Sequence, residues 1–202
     1  MDIYYTMDGT IPSIHSFLYN NPFTVTNSAV ISARCFRNGK AVSGISTMEI
    51  TKETPRISST PKAVLAGIGY SYFEGNWDSV PDFSKLKPLK SGTLAKICFD
   101  PRRQDEFFGF EYTGWMLIPS DDVYSFYTGS DDGCRLYIDG ILIVDNDGLH
   151  SLLEKEGTVA LAEGYHAFRV EYFNKTGSFD INVSLRSPVM KKQMIPGGML
   201  FH

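Results

Sequence analysis

The sequence predicts an all-β protein built from antiparallel strands. Three observations carry that prediction. Helical periodicity is nearly absent along the 202 residues. Short runs of alternating apolar and polar residues recur instead, punctuated by Gly, Pro, Asn and Asp. Asn-Gly and Asp-Gly pairs also stand between β-prone runs, the strongest short-range signal of a two-residue hairpin.

In chain order, Ile3-Tyr4-Tyr5-Thr6 is β-prone and stops at Asp8-Gly9. Residues 30–36 read as a strand, Asn38-Gly39 as a hairpin turn, and the segment after it as an exposed return strand. Residues 52–62, KETPRISSTPK, combine two prolines, small hydroxyl residues and charges and read as a linker between residues 1–51 and 63–202. Residues 123–127, VYSFY, are an aromatic strand, and Gly129-Ser130-Asp131-Asp132-Gly133 is expected to break it. Residues 135–138 and 141–144 form a hairpin about Asp139-Gly140. In residues 166–172, Phe168, Val170 and Tyr172 share one face and Arg169 and Glu171 the other. Residues 180–186 alternate more strictly, with Ile181, Val183 and Leu185 opposite Asp180, Asn182, Ser184 and Arg186. Such strands have one wet face.

Composition narrows the function classes. Hydrophobic residues make up 43%, enough for a packed core. The net charge is −4 with no basic stripe, so nucleic acid is not an expected partner. No apolar run approaches the roughly 20 residues of a membrane helix, and membrane insertion by one is not expected. Cys35, Cys98 and Cys134 are odd in number and lack metal spacing, and are read as buried free thiols, with one disulfide as the alternative. There is no Gly-x-Ser-x-Gly elbow, phosphate-binding glycine loop or zinc spacing, and the four histidines are scattered. Adjacent Asp131 and Asp132 stand too close to share the acid and base roles of a glycosidase pair. The chain is therefore expected to be non-catalytic.

The richest chemistry lies at Asp131-Asp132, two neighbouring carboxylates at the tip of a sheet, suited to a hard cation and through it a polar ligand. Ser120-Asp121-Asp122 repeats the tripeptide Ser130-Asp131-Asp132 one strand earlier, at a plain turn, and is expected to be solvated. Asp145-Asn146-Asp147-Gly148-Leu149-His150 is a second oxygen-rich loop, in which Asn146, Asp147 and His150 could meet a ligand. Trp77 and Phe179 are candidate stacking platforms, Trp77 being assigned first to packing, and Trp115 to the core.

Two resemblances extend this reading. IYYTMDGTIP (residues 3–12), with YNNPFTVTNSAVISARCFRNGKAVS, resembles the C-terminal β-sandwich of chitobiases and β-hexosaminidases. The strand that normally precedes this motif is missing, so the chain is expected to be the C-terminal piece of a longer polypeptide whose secretion signal lies upstream. GIGYSYFEGNWDSVPDF, FGFEYTGWMLIPSDDVYSFYTGSDDGCRLYIDGILIVDNDG and GTVALAEGYHAFRVEYFNKTGSFDINVSL resemble the sugar-binding domain first described in anthrax protective antigen. Together they imply a truncated immunoglobulin-like sandwich followed by a protective-antigen-type sandwich or barrel. In calcium-dependent fungal adhesins of the second family, the equivalent aspartates share a cis peptide bond and an asparagine from a later loop completes the site. That implies calcium at Asp131, Asp132 and Asn174, with Lys175 a departure that would oppose a cation unless its ammonium turns away. Lys175 and Phe179 join Asn146, Asp147 and His150 as candidate ligand contacts. The implied role is a glycan-binding accessory region of a bacterial, β-N-acetylhexosaminidase-like glycoside hydrolase, secreted, periplasmic or on the cell surface, with glycan and the upstream catalytic domain as partners. The alternatives are a module that packs on and stabilises the catalytic domain, and a protein-binding or adhesion module.

Overall fold

A computed structural model describes residues Met1–His202. They divide into two compact units, Met1–Glu53 and Thr54–His202.

Unit one holds β1 (Asp2–Thr6), β2 (Phe17–Leu18), β3 (Ala29–Arg37), β4 (Lys40–Ala41) and β5 (Ser46–Ile50). They form one antiparallel sheet, ordered β2-β1-β3-β4, with β5 also on β3. Asn38 and Gly39 take φ of 50° and 74°, the paired left-handed geometry of a type I′ hairpin. Phe36 is the one large hydrophobic side chain fully buried here, at 6% exposure, with Tyr4 edge-on to it at 5.3 Å. Phe17, Leu18, Tyr19, Phe23 and Met48 are exposed.

Unit two continues with β6 (Ile68–Glu74), a 3-10 turn (Phe83–Lys85), β7 (Lys90–Leu94), β8 (Phe108–Ile118), β9 (Asp122–Asp131) and β10 (Cys134–Ile138). Then come β11 (Ile141–Asn146), β12 (Leu153–Leu161), β13 (Gly164–Asn174), β14 (Asp180–Ser187), β15 (Met190–Met194) and β16 (Leu200–Phe201). One sheet runs β11-β10-β13-β8-β6-β7, with β16 on β8, and the other runs β12-β9-β14-β15. Tyr72, Phe110, Tyr112, Leu136, Val170 and Tyr172 of the first sheet and Tyr124, Phe126, Val183 and Leu185 of the second belong to one buried cluster. This is the two-sheet architecture that alternating, half-wet strands dictate.

Four details depart from the sequence-based expectation. Gly129 to Asp131 do not break the strand: β9 pairs with β12 through Ser130 and with β14 through Asp131, and two flanking ladders outweigh the glycine. The segment read as a linker is partly built into unit two, where the Arg56 and Ser59 amides donate to the carbonyls of Ala160 and Tyr165 at 2.9 and 2.7 Å. Edge carbonyls need donors, and an extended polar segment supplies them. Trp115 is half-buried, paired in register with Phe201, and outside the core cluster. The three cysteines are unpaired, and Cys134 is buried, whereas Cys35 and Cys98 are half-buried and not the buried thiols expected.

Candidate functional site

The candidate site lies where β9 hands over to β10. Asp131 ends β9, Asp132 and Gly133 turn the chain, and Cys134 opens β10. Gly133 is required by close approach: a Cβ there would lie 2.5 Å from the Phe173 ring and 2.8 Å from Asp147 Oδ1. Its carbonyl accepts the Phe173 amide at 3.0 Å, fixing the turn beside the end of β13. The Asp131–Asp132 peptide is cis.

The two aspartates have different environments. Asp132 is 7% exposed, and both its oxygens are engaged. Oδ1 accepts the His150 amide at 3.2 Å and Oδ2 the Lys175 amide at 2.8 Å. One carboxylate thus joins the 146–150 and 174–179 loops. Asp131 is half-buried, and its backbone carbonyl accepts the Tyr172 hydroxyl. Burial holds its carboxyl above the usual range; Asp132 and then Asp180 push the same way, while His150 opposes them. Asp180 is directly opposite Asp131 on β14. Asp180 is not among the candidate residues, and the signal for it is the strict alternation of residues 180–186, which puts it on the polar face.

Asn174, at the end of β13, is fully buried. Its Nδ2 donates to the Asp105 carbonyl at 2.9 Å, while its Oδ1 has no donor. A buried amide oxygen without a partner is a costly arrangement unless something else meets it. Its neighbour Lys175 is held on three sides: amide to Asp132, carbonyl to the Phe107 amide at 2.8 Å, and ammonium to Asp78 at 2.6 Å. The ammonium therefore has a carboxylate partner of its own. No group of three or more His, Cys, Asp or Glu side chains converges as a metal cage. A hard cation would have to be held by two carboxylates, an amide oxygen and backbone carbonyls, a donor set that suits calcium.

The other candidate contacts are engaged within the protein. Asn146 is fully buried and donates to Thr128 O, Ser130 Oγ and Leu153 O at 3.2, 3.0 and 2.9 Å; its Oδ1 also lacks a donor. It ties β11 to β9 and β12. Asp147 accepts the Val80 and Gly148 amides at 2.7 and 2.8 Å and pairs with Arg135 at 2.7 Å. The two ring nitrogens of His150 each lie 3.0 Å from a carbonyl, of Ser151 and of Asn146. Phe179 packs edge-on against Phe99 and Phe108 at 5.6 and 5.7 Å, with the Arg102 guanidinium over its ring at 4.5 Å. Trp77 packs edge-on to Phe83 in a small cluster with Phe73, Val80 and Phe173. Asp121 is exposed and caps the Glu163 amide at 2.7 Å.

The architecture defines a class: an antiparallel two-sheet module whose polar site is assembled from loops at one end of its sheets. The chain belongs to the PA14 domain family, whose profile matches residues 96–196. Residues 1–50 match the family described as Fn3 associated. A β-hexosaminidase of Porphyromonas gingivalis (strain ATCC BAA-308 / W83) is 24% identical over 178 residues, 84% of this chain and 22% of that protein. The chain thus spans about a fifth of that relative's length. Among solved structures, the PA14 domain of the MpAFP antifreeze protein superposes with a TM-score of 0.60 at 17% identity, covering 71% of this chain and 94% of that one. The A domain of epithelial adhesin 9 from Candida glabrata, in complex with Galβ1-3GlcNAc, gives 0.57 at 15% identity, covering 74% and 96%.

Proposed function

We propose that this chain is a non-catalytic carbohydrate-binding region of a secreted or surface glycoside hydrolase, and that the PA14 unit holds its glycan at the Asp131-Asp132 turn with the help of calcium. The observation that carries the reading is the donorless, buried Asn174 oxygen on the residue next to the one whose amide Asp132 accepts. Asp131, Asp132 and Asn174 are the side chains that would hold the ion. Bound there, calcium would supply positive charge to coordinate sugar hydroxyls. The loops at 146–150 and 174–179 would frame the glycan, with Asn146, Asp147 and Lys175 shaping them from behind. The sugar-bound adhesin neighbour supports glycan as the ligand, and the hexosaminidase relative supports the enzymatic setting. Binding a glycan beside a catalytic domain raises effective concentration without chemistry of its own.

The test is a glycan array probed with this chain in calcium and again in chelator, alongside Asp131→Asn. Binding to a defined set of glycans, lost in chelator and in the variant, is the expected result. Binding indifferent to both would remove calcium from the reading. Silence in every arm would favour a protein contact, for which exposed Leu149, Leu152 and Leu153 beside the site offer an apolar strip.

A further inference from the structure

We infer that residues 102–107 act as a brace that fixes the shape of the 174–179 loop, with Glu106 and Arg102 as positioning residues. The inference rests on reading that loop as one wall of the cation and glycan site.

Four contacts from this short segment reach four different residues of the loop. The Asp105 carbonyl accepts Asn174 Nδ2 at 2.9 Å, which turns the amide so that Oδ1 is the free end. The Phe107 amide donates to the Lys175 carbonyl at 2.8 Å. Glu106 Oε1 accepts the Gly177 amide at 3.2 Å. The Arg102 guanidinium lies over the Phe179 ring at 4.5 Å and is itself held by Asp105 at 2.9 Å. Gly177 has φ of 87°, so the loop bends at the residue whose amide Glu106 receives.

The brace has its own anchorage. Phe107 has φ of 56°, a left-handed conformation that bulky residues rarely adopt. In that conformation its amide meets Lys175 while its carbonyl accepts the Gly75 amide at 2.8 Å and Gln104 Nε2 at 3.0 Å. The segment is therefore fixed to the end of β6 on one side and to the loop on the other. A loop shaped from outside in this way holds its ligand-facing groups ready before any ligand arrives, and preorganisation raises affinity by that route.

The experiment compares the full chain with Glu106→Ala and Glu106→Gln. Amide exchange of residues 174–179 is followed without metal, and calcium is titrated in parallel. Glu106 is exposed and outside the strands, so the fold itself is not at stake. Alanine removes the acceptor for Gly177; loop exchange should quicken and calcium should weaken by about two- to tenfold, the range of one net hydrogen bond. Glutamine keeps the acceptor and should stay within about twofold of the parent. Exchange in alanine equal to the parent would overturn the brace. Loosening in glutamine as large as in alanine would also overturn it, since charge rather than position would then be at work. A loosened loop with unchanged calcium affinity would overturn its role in binding. If the parent itself takes up no calcium, the reading of the site fails, and the exchange arm alone then decides the brace.

Discussion

The two units carry equally clear β signals, yet they bury their side chains very differently. Unit one is a single sheet with Phe36 as its one fully buried large apolar residue and a row of exposed aromatics. Unit two closes two sheets on a continuous cluster of Phe, Tyr, Leu, Ile and Val. Alternation and turn chemistry specify a strand, whereas a core needs a second layer to bury the face that alternation creates. Strand-forming pattern and burial are therefore separate properties of a sequence, and stability follows burial.

The largest effect should fall where that contrast is sharpest. Phe110→Ala, at a fully buried position, should destabilise unit two by about 3–5 kcal/mol. Phe17→Ser, at 62% exposure, should stay within about 0.5 kcal/mol. Both tryptophans, Trp77 and Trp115, lie in unit two, so their fluorescence in a denaturant series follows that unit. Hydrogen exchange of β3 follows the other. A penalty for Phe17→Ser as large as for Phe110→Ala would mean that the exposed face is covered in solution.

Calcium should sharpen the contrast further, because its candidate ligands lie in unit two alone. With a dissociation constant of about 0.1 mM, about 1 mM calcium would add about 1.4 kcal/mol. That corresponds to a rise of roughly 3–6 °C in the tryptophan-reported melting temperature. Asp131→Asn should abolish the rise, and exchange in β3 should not respond to calcium at all. An identical response of parent and variant would place the ion elsewhere.

A smaller effect is expected at Asp78. Asp78→Asn would release the Lys175 ammonium, whose backbone amide already lies on Asp132. The freed charge would compete with calcium and weaken it by about two- to fivefold, the scale of one exposed ion pair. Titration of the variant at low and moderate salt checks this, and unchanged affinity would show that the ammonium cannot reach the carboxylates.

The smallest effect concerns pH. Burial raises the Glu171 carboxyl, and Arg169 only partly offsets it. A carboxyl raised in the fold contributes stability that is complete below its unfolded value and lost as pH rises through the folded one. Glu171→Gln should therefore melt slightly above the parent at pH 7, and the gap should close as the pH falls toward 4. A gap that widens on acidification would reverse the assignment.

Much of this was legible in the residues. Asp139-Gly140 marks the β10–β11 hairpin, and the alternation at 166–172 separates inward Phe168, Val170 and Tyr172 from Arg169, but Glu171, expected on the wet face, is buried at 6% exposure beside the Arg169 guanidinium. The turn between β9 and β10 is legible at Asp132-Gly133, whereas Asp131 belongs to β9. What escaped was contact between distant loops. Nothing periodic marks residues 102–107 or Asp78 as neighbours of 174–179, since a loop is positioned by individual hydrogen bonds. Burial of Asn146 escaped for a related reason: an Asn in a polar run reads as surface until three acceptors surround it.

Asp132 has a consequence in time. Its two oxygens accept amides 18 and 43 residues further along the chain. During synthesis the aspartate emerges ahead of both partners, and the brace at 102–107 emerges earlier still. The 146–150 loop can reach its acceptor only once the β10–β11 hairpin has closed, and the second loop only after all of β13 has emerged. A contact 43 residues away costs only somewhat more chain entropy to close than one 18 away, so the order of emergence sets the order of the two contacts. Until Lys175 has emerged, the nascent chain therefore carries its carboxylate pair with at most one of its two loops in place, and the turn is completed only as the end of β13 arrives.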